Sequence, residues 1–371
     1  MAGGLFASVG GVLAAGPGVG SCASAAPEIK SRAALRRERK GTVTLQARFA
    51  RAIALPTDAS QWMSCQAVQT RADLSAMVGE VMSQQCSNGL AMGFQSLTYG
   101  KIAFLGVVQG ITELLPISST AHMRVVPALL GWSDPGSAFS AAMQLAALAA
   151  VISYFWTDIR QLTSGAFSAV ARRQFAEPDF KLLIAIAIAT IPIVLAGILL
   201  SPYLNQCNSP LRALPVIGWS CVIMATLLAL TELLARHRRS VAESSLMDAL
   251  LVGLAQVGAL IPGVSRSGAT LTAALGLGFK RAEAARLSFL LGIPAIALAG
   301  LKELWELHKA HLSAHGWSLL AVGLIIASMS AFFAIWLLMR VLERFSTWIF
   351  VLYRGALGVF LLAASANNWI Q

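Results

Sequence analysis

The sequence has little charge for its length. Only 12% of its 371 residues are Asp, Glu, Lys or Arg, whereas a soluble domain has about 25%. Hydrophobic residues make up 57% of the chain, and the mean hydropathy is +0.69. An apolar excess of this size over this length excludes one large soluble core and predicts many membrane spans.

Cysteine is also scarce. The chain has five, at positions Cys22, Cys65, Cys86, Cys207 and Cys221. None of them belongs to a CxxC pair or to the spacing of a metal site. The pattern therefore predicts unpaired thiols and excludes a disulfide framework.

Acidic residues are fewer than basic ones, with 17 against 28, which gives a net charge of +11. A basic balance can indicate nucleic-acid binding. Here, however, the basic residues lie in short clusters between apolar segments, which is the positive-inside distribution of membrane proteins. We therefore expect surrounding membrane lipid and no nucleic-acid partner.

Six apolar stretches are long enough to cross a bilayer. They lie at about residues 138–157, 181–201, 213–235, 284–301, 317–339 and 347–365. Two further apolar stretches, 102–130 and 247–279, are each interrupted by proline and a serine-rich turn. Because a helix rises about 1.5 Å per residue, each half is too short to cross alone. We expect an all-α polytopic membrane protein of about six transmembrane helices and two re-entrant helical hairpins.

The loops between the spans predict the orientation. Basic residues cluster in the loops 158–181 and 236–246, whereas the loop 203–212 has only Arg212. The basic loops should be cytoplasmic. The first hairpin then opens outward and the second inward, so the chain forms an inverted repeat whose site lies where the two tips meet.

Residues 1–96 differ in composition from the membrane domain that we place at 97–371. They are rich in Ala, Gly and Ser and contain no stretch that is long and apolar enough to span. We expect a poorly ordered extension that the chemistry does not need. Two explanations stay open: an Arg-rich, acid-poor targeting segment, or a mis-assigned start, with Met92 as the true first residue.

The first hairpin has a polar motif around Pro116. Gln109 and Glu113 are four residues apart and share one helix face. Pro116 breaks that helix, and Ser118 or Ser119 then caps a new one. The motif therefore predicts a helix, a turn and a second helix whose first turn is polar.

Two ionisable residues of this hairpin indicate function. Glu113 is the only carboxylate between residues 102 and 133, and His122 is the only one of five histidines inside an apolar segment. An ionisable group at membrane depth costs at least ~2.5–3.5 kcal/mol, so it is functional by default. Because Ser119 and His122 are three residues apart, they should share a face, and a hydroxyl beside an imidazole can act as a nucleophile.

The second hairpin has a similar motif after Pro262. Arg266 is the lone charge from Leu250 to Phe279, and Ser265, Ser267 and Thr270 provide hydroxyl groups around it. A helix N-terminus with free backbone N–H groups binds anions, and a guanidinium group suits phosphate in particular. The two motifs together predict a phosphoryl-transfer site.

Structural roles for some of these residues stay open. Gln109 could form a helix–helix hydrogen bond, and Ser118 and Ser119 could be helix caps alone. Glu113 and His122 could be a buried structural pair, and Arg266 could tie the two hairpins together. Thr270 could bond to the backbone, as threonine often does in membrane helices.

At these two motifs the sequence resembles the bacitracin-resistance family of undecaprenyl-diphosphate phosphatases. The first family signature is an (E/Q)xxxE pair followed by PxSSTxH, matched by Gln109, Glu113, Pro116, Ser118, Ser119, Thr120 and His122. The second is PGxSRSxxT, matched by Pro262, Gly263, Ser265, Arg266, Ser267 and Thr270. The resemblance covers roughly residues 97–365.

The resemblance implies a role for each matching residue. The implied catalytic residues are Glu113, Ser119, His122 and Arg266. The implied substrate-binding residues are Gln109, Ser118, Thr120, Ser265, Ser267, Gly268 and Thr270. Glu113 and Gln109 are the implied ligands of a divalent cation, Mg²⁺ or Ca²⁺. Gln109 stands where many members have Glu, so Glu113 would have more of the acid–base and metal-binding role.

The implied reaction is hydrolysis of undecaprenyl diphosphate to undecaprenyl phosphate and inorganic phosphate. It recycles the carrier lipid for peptidoglycan and other cell-wall polymers. Bacitracin sequesters the diphosphate and so competes for the substrate, which makes the activity a source of antibiotic resistance. The expected location is a bacterial plasma membrane, or an organelle membrane if 1–91 is a transit peptide. Homo-oligomerisation and the preferred prenyl length stay open.

Two other functions stay open. An inverted repeat with broken helices is also typical of transporters, so a lipid or anion transporter or flippase is the main alternative. An intramembrane serine hydrolase is weaker, because acyl transfer needs an oxyanion hole but no guanidinium group. Within the phosphatase hypothesis, either Ser119 or His122 is the nucleophile.

Cysteine labelling tests the predicted orientation. A cysteine placed at Asn208 should react with an impermeant thiol reagent from outside, and one at Ser240 only from inside, because basic loops are retained in the cytoplasm. The reverse pattern would overturn this orientation and place the mouth of the first hairpin on the cytoplasmic face.

Overall fold

The structure is a computed structural model that describes residues 86–87, 90–204, 210–367 and 369. Most of the expected extension at 1–96 lies outside these residues. In its last part, two-residue strands Cys86–Ser87 and Leu90–Ala91 pair antiparallel, and a 3₁₀ turn follows at Gly93–Ser96. Phe94 in this turn is fully buried, so the chain packs against the helical domain from this point on.

The described part of the chain is otherwise helical. Its α-helices are α1 (Tyr99–Leu114), α2 (Ser119–Leu129), α3 (Ser137–Ala142), α4 (Gln144–Tyr154), α5 (Trp156–Ala171), α6 (Pro178–Leu204), α7 (Leu214–Leu234), α8 (Leu246–Val257), α9 (Arg266–Gly276), α10 (Arg281–Lys309), α11 (Ala314–Arg344) and α12 (Trp348–Ala366).

The six predicted spans are confirmed among the described residues as helical segments long and apolar enough to cross a membrane. They run Ser137–Tyr154, Pro178–Leu200, Leu214–Leu234, Arg281–Lys309, Ala314–Arg344 and Trp348–Ala366. The first consists of α3 and α4, which meet at Met143. The protein is therefore an all-α, multi-pass membrane protein.

The segment 158–181, treated above as a loop, is largely helical. Helix α5 covers most of it and buries Leu162, Ala166 and Ala169 along one side. These positions repeat at four and three residues, which is the spacing of one helix face. Polar residues lie between these positions, so this amphipathic helix has no continuous apolar run in the sequence.

Each of the two interrupted segments is a helix, a turn and a second helix. The first comprises α1 and α2, and the second comprises α8 and α9. Their insertion into the membrane as re-entrant hairpins stays a prediction. We call the residues between α1 and α2 the first turn, and those between α8 and α9 the second turn.

Both turns end on a serine with the same unusual backbone. Ser118 has φ 72° and Ser265 has φ 65°, a left-handed conformation that is uncommon outside glycine. Each serine is the N-cap of the next helix: Ser118 Oγ accepts from the Ala121 N–H at 3.4 Å, and Ser265 Oγ accepts from the Gly268 N–H at 3.2 Å. The two halves of the chain thus start their second helices in the same way.

Glycines let the broken segments approach their neighbours closely. A Cβ atom at Gly110 would collide with the Ala327 carbonyl and the Ser330 hydroxyl of α11, and one at Gly253 would collide with the Ala189 carbonyl of α6. Small residues at helix contacts are typical of membrane proteins, because they allow backbones to pack together. Helix α1 is therefore held against α11, and α8 against α6.

Arg354 of α12 joins the two turns. Its side chain is fully buried and donates to the Pro116 carbonyl at 3.2 Å, to the Gly263 carbonyl at 2.6 Å and to the Val264 carbonyl. These carbonyls belong to backbone that has left the helical pattern, and the Gly263 carbonyl also accepts a weak hydrogen bond from the Cys221 thiol at 3.7 Å. One guanidinium group therefore satisfies both turns and fixes their separation.

Replacing Arg354 by lysine should destabilise the protein. A single ammonium group cannot span both turns, and each buried carbonyl left without a donor costs about 1–3 kcal/mol. We expect the midpoint of thermal unfolding in detergent to fall clearly for Arg354→Lys. Arg344→Lys, at an exposed position of α11, is the matched control and should not move it. Equal midpoints for the two variants would contradict this role of Arg354.

Candidate active site

The carboxylate of Glu113 is the centre of the site. It is buried, with 8% exposure, and it accepts three hydrogen bonds. The donors are Gln109 Nε2 at 2.9 Å, Ser119 Oγ at 2.6 Å and Arg266 Nη2 at 3.2 Å. Gln109 and Glu113 share a face of α1, as their spacing predicts. The structure thus brings together Gln109, Glu113, Ser119 and Arg266 of the predicted site.

The contact between Glu113 and Arg266 joins the two halves of the chain. It is an ion pair between α1 and the first residue of α9, and both side chains are largely buried. Arg266 also donates to the Gly292 carbonyl of α10 at 3.4 Å. A buried charge without its partner is strongly destabilising, so each residue fixes the position of the other.

Ser119 is the first residue of α2, directly after the left-handed Ser118. Its hydroxyl donates to Glu113, because a carboxylate can only accept. The O···O distance of 2.6 Å is typical of a charge-assisted bond. A carboxylate that holds a hydroxyl in this way can also receive its proton, so the geometry pairs a candidate nucleophile with a candidate base.

His122 has other partners. Its Nδ1 lies 2.7 Å from the Ser118 carbonyl oxygen, and its Nε2 lies 2.7 Å from the hydroxyl of Tyr353. The two rings are nearly parallel, at 3°, with centroids 5.7 Å apart. The imidazole therefore lies beside the site, but the hydroxyl of Ser119 bonds to Glu113.

The hydroxyl groups of the second motif bond within the protein. Ser267 Oγ donates to the Glu113 and Leu115 carbonyls at 3.2 and 3.1 Å, which fixes the end of α1. Thr270 donates to the Arg266 carbonyl at 2.8 Å, which is the backbone hydrogen bond that threonine often forms in membrane helices. Its hydroxyl also contacts Ser288.

Two further residues of the predicted substrate-binding set hold the second turn. Ser265 caps α9, and its hydroxyl lies 3.1 Å from that of Ser267. At Gly268 any side chain would meet the Arg354 guanidinium group, so the position requires glycine. These contacts fix the geometry of the turn that carries Arg266.

A cavity of about 210 Å³ opens beside Glu113. Its wall includes Gln109, Glu113, Ser119 and Thr120, which we call the inner part, and Met123, Arg124, Asp134, Ser137, Ser140, Ala141, Gln144, Arg212 and Glu303, which we call the outer part. Thr120 of the predicted set therefore faces this cavity, whereas Ser118 is fully buried in the turn.

The outer part of the cavity wall carries charge of both signs. Arg124 and Asp134 form an ion pair. Burial lowers the pKa of the Arg212 guanidinium group, and the nearby Asp134 carboxylate opposes this shift. Since the guanidinium group of arginine stays protonated in proteins, Arg212 is a cation on this wall.

The inner part of the cavity suits a divalent cation only partly. Gln109 Oε1 is buried and has no hydrogen-bond partner among the described residues, and it lies on the amide that donates to Glu113. Carboxylate and amide oxygens are ligands of Mg²⁺ and Ca²⁺. The described residues contain no group of three or more His, Cys, Asp and Glu able to hold a metal ion. The residues therefore fit a cation that takes its other ligands from phosphate oxygens.

Tyr353 and Arg354 were missed in the sequence. Both lie in the last span, which has the hydropathy of an ordinary transmembrane helix. A signal was present, because Arg354 is a charged residue in the middle of an apolar stretch, and such residues are functional by default. For Tyr353 the sequence gives no signal of its own, since tyrosine is common in membrane helices.

Similar proteins identify the family of this chain. The sequence pattern of the family described as "Bacitracin resistance protein BacA" matches residues 102–360. "Undecaprenyl-diphosphatase 2" of Mesorhizobium japonicum is 74% identical over 263 residues, which cover 71% of this chain and 100% of that protein.

Two cyanobacterial relatives are more distant. "Undecaprenyl-diphosphatase" of Synechococcus sp. strain WH7803 is 50% identical over 71% of this chain and 92% of its own length. That of Trichodesmium erythraeum is 42% identical over 79% of this chain and 94% of its own length. With the family pattern matched across both turns and these identities, the chain belongs to the bacitracin-resistance (BacA) family.

Proposed function

We propose that this protein hydrolyses undecaprenyl diphosphate to undecaprenyl phosphate and inorganic phosphate. The observation that carries the proposal is the carboxylate of Glu113, which holds the hydroxyl of Ser119 and the guanidinium group of Arg266 together. A nucleophile, a base and a phosphate-binding cation are the parts that phosphoryl transfer needs. The names of the relatives, all undecaprenyl-diphosphatases, support the same reaction.

In the proposed mechanism Ser119 attacks the terminal phosphorus. Its proton passes to Glu113, and a bond forms between Ser119 Oγ and phosphorus. The bond from this phosphorus to the bridging oxygen breaks, and undecaprenyl phosphate leaves with the electron pair. Arg266 holds the phosphate oxygens as charge develops on them.

The second step regenerates the serine. Water attacks the phosphorus of the phosphoserine and loses a proton to a nearby base. The bond between phosphorus and Ser119 Oγ then breaks. Ser119 recovers a proton from Glu113, and inorganic phosphate leaves through the cavity. Over both steps one water is consumed. The bridging oxygen of the anhydride stays with undecaprenyl phosphate, and the oxygen of the water becomes part of the inorganic phosphate.

His122 is the second candidate nucleophile. Its Nε2 is covered by the hydroxyl of Tyr353, whereas the Ser119 hydroxyl already bonds to a carboxylate. This difference favours Ser119. We assign His122 a role in proton transfer beside Ser119.

A divalent cation, Mg²⁺ or Ca²⁺, is part of the proposal. Glu113 and Gln109 would supply oxygen ligands, and the diphosphate would supply others. When bound, the cation neutralises charge on the diphosphate. The unpartnered oxygen of Gln109 supports this assignment.

The proposed setting is a bacterial plasma membrane, where the reaction recycles the carrier lipid for peptidoglycan. Bacitracin would compete for the same diphosphate, and activity would confer resistance to it. The relatives of this chain come from bacteria, which favours a bacterial membrane over an organelle. A homo-oligomer is compatible with the exposed apolar helix faces but is not needed to complete the site.

Phosphate release in detergent tests the function and separates it from transport. Purified protein should release phosphate from undecaprenyl diphosphate without any gradient, and a transporter would release none. Glu113→Gln and Arg266→Met should each lower kcat at least about a hundredfold, because each removes a group that stabilises transferring charge. Glu343→Gln and Arg340→Met, at exposed positions of α11, are the matched controls. Full activity in folded Glu113→Gln or Arg266→Met protein would refute the site.

Chelation tests the cation. Treatment with EDTA should abolish phosphate release, and Mg²⁺ or Ca²⁺ should restore it. Gln109→Glu adds a carboxylate beside Glu113 and should lower the cation concentration for half-maximal activity several-fold, since charge count sets affinity. Undiminished activity in EDTA would rule out the cation, and an unchanged requirement in Gln109→Glu would remove Gln109 from its ligands.

A further inference from the structure

Tyr353 is a polar contact of the site that comes from the last helix. Its hydroxyl lies 2.7 Å from Nε2 of His122. The tyrosine is 48% exposed on the surface of the helix bundle, whereas the histidine is 8% exposed. A tyrosine can keep its ring in an apolar phase while its hydroxyl points to a polar partner. Tyr353 therefore lies between His122 and the outside of the bundle.

The direction of the hydrogen bond follows from the other ring nitrogen. Nδ1 of His122 lies 2.7 Å from the carbonyl oxygen of Ser118. A carbonyl can only accept, so Nδ1 bears the hydrogen. In a neutral imidazole Nε2 then has a lone pair, and the hydroxyl of Tyr353 must be the donor to it. The ring is thus fixed at both nitrogens and in one tautomer.

The neighbour of Tyr353 makes this arrangement rigid. Arg354 is the next residue of α12, and it anchors the turn that ends at Ser118 by donating to the Pro116 carbonyl. One stretch of α12 therefore holds both the backbone of the first turn and the imidazole that follows it. A ring held by packing and hydrogen bonds from two sides keeps the geometry that proton transfer needs.

We infer that Tyr353 is a positioning residue, which holds the ring of His122 in one orientation, while the Ser118 carbonyl sets its tautomer. The inference rests on the proposed function, because His122 must take part in the reaction for its orientation to matter. Tyr353 acts through His122 and has no step of its own. Its contribution should therefore appear in kcat and disappear when His122 is absent.

Removing one hydroxyl group tests the inference. Tyr353→Phe should lower kcat about tenfold to a hundredfold, as the loss of a partner that orients a functional histidine does, with KM changed less than about twofold. Tyr99→Phe is the matched control. The Tyr99 hydroxyl also contacts a histidine, His315, at 3.3 Å, but lies at the far end of α1, so its loss should leave kcat unchanged. Wild-type kcat in Tyr353→Phe would overturn the inference.

A double-mutant cycle distinguishes positioning from a general structural effect. If Tyr353 acts through His122, Tyr353→Phe should cost nothing further in a His122→Ala background. The same fold-loss in both backgrounds, or a fully active His122→Ala enzyme, would overturn the inference. If the wild-type protein itself releases no phosphate, the proposed function fails instead.

Nitrogen-15 NMR of His122 tests the positioning independently of activity. The wild-type protein should show a protonated Nδ1 and an unprotonated Nε2 that accepts a hydrogen bond, and in Tyr353→Phe the Nε2 resonance should shift because that hydrogen bond is lost. An unchanged Nε2 resonance in Tyr353→Phe would overturn the inference even where activity falls.

Discussion

The ion pair between Glu113 and Arg266 is the interaction on which the rest of the site depends. It links the two interrupted segments across the centre of the protein, and neither charge has another charged partner in the described structure. Because an unpaired buried charge costs several kcal/mol, the pair favours the single arrangement in which the two turns face each other. The same carboxylate then holds Ser119, so the contact that joins the two halves also prepares the nucleophile.

The two halves of the chain form the turn between their paired helices in the same way. Each follows a first helix with a turn that contains proline, passes through a serine with positive φ, and uses that serine to cap a second helix. The residue after the serine is Ser119 in one half and Arg266 in the other. A left-handed serine costs about 1–3 kcal/mol, and Arg354 contributes to holding both by satisfying the carbonyls of the turns. Strain and its compensation therefore lie directly behind the two functional side chains.

Much of this arrangement could be predicted from the sequence. Hydropathy alone located the six spans, because each crosses an apolar phase and must be apolar over its length. Glu113 and Arg266 were found because a lone charge in an apolar segment is costly enough to need a function. The turns followed from the chemistry of proline and serine. The partners could not be predicted, since the contact of His122 with Tyr353 spans 231 residues and has no local signature. Arg354 has a local signature, because it is a charged residue in an apolar stretch. The mean hydropathy of that stretch stays high, however, and hides a single charge.

In the proposed mechanism, Ser119 is the group that first receives the phosphate, and Glu113 holds its hydroxyl. The most direct measurement mixes purified protein with undecaprenyl diphosphate labelled at its terminal phosphate, and stops the reaction in neutral denaturant, which preserves both phosphoserine and phosphohistidine. Mass spectrometry then locates the label. The account predicts label on Ser119 in the wild-type protein and none in Glu113→Gln. Label on His122, or turnover with no labelled protein at any time point, would contradict it.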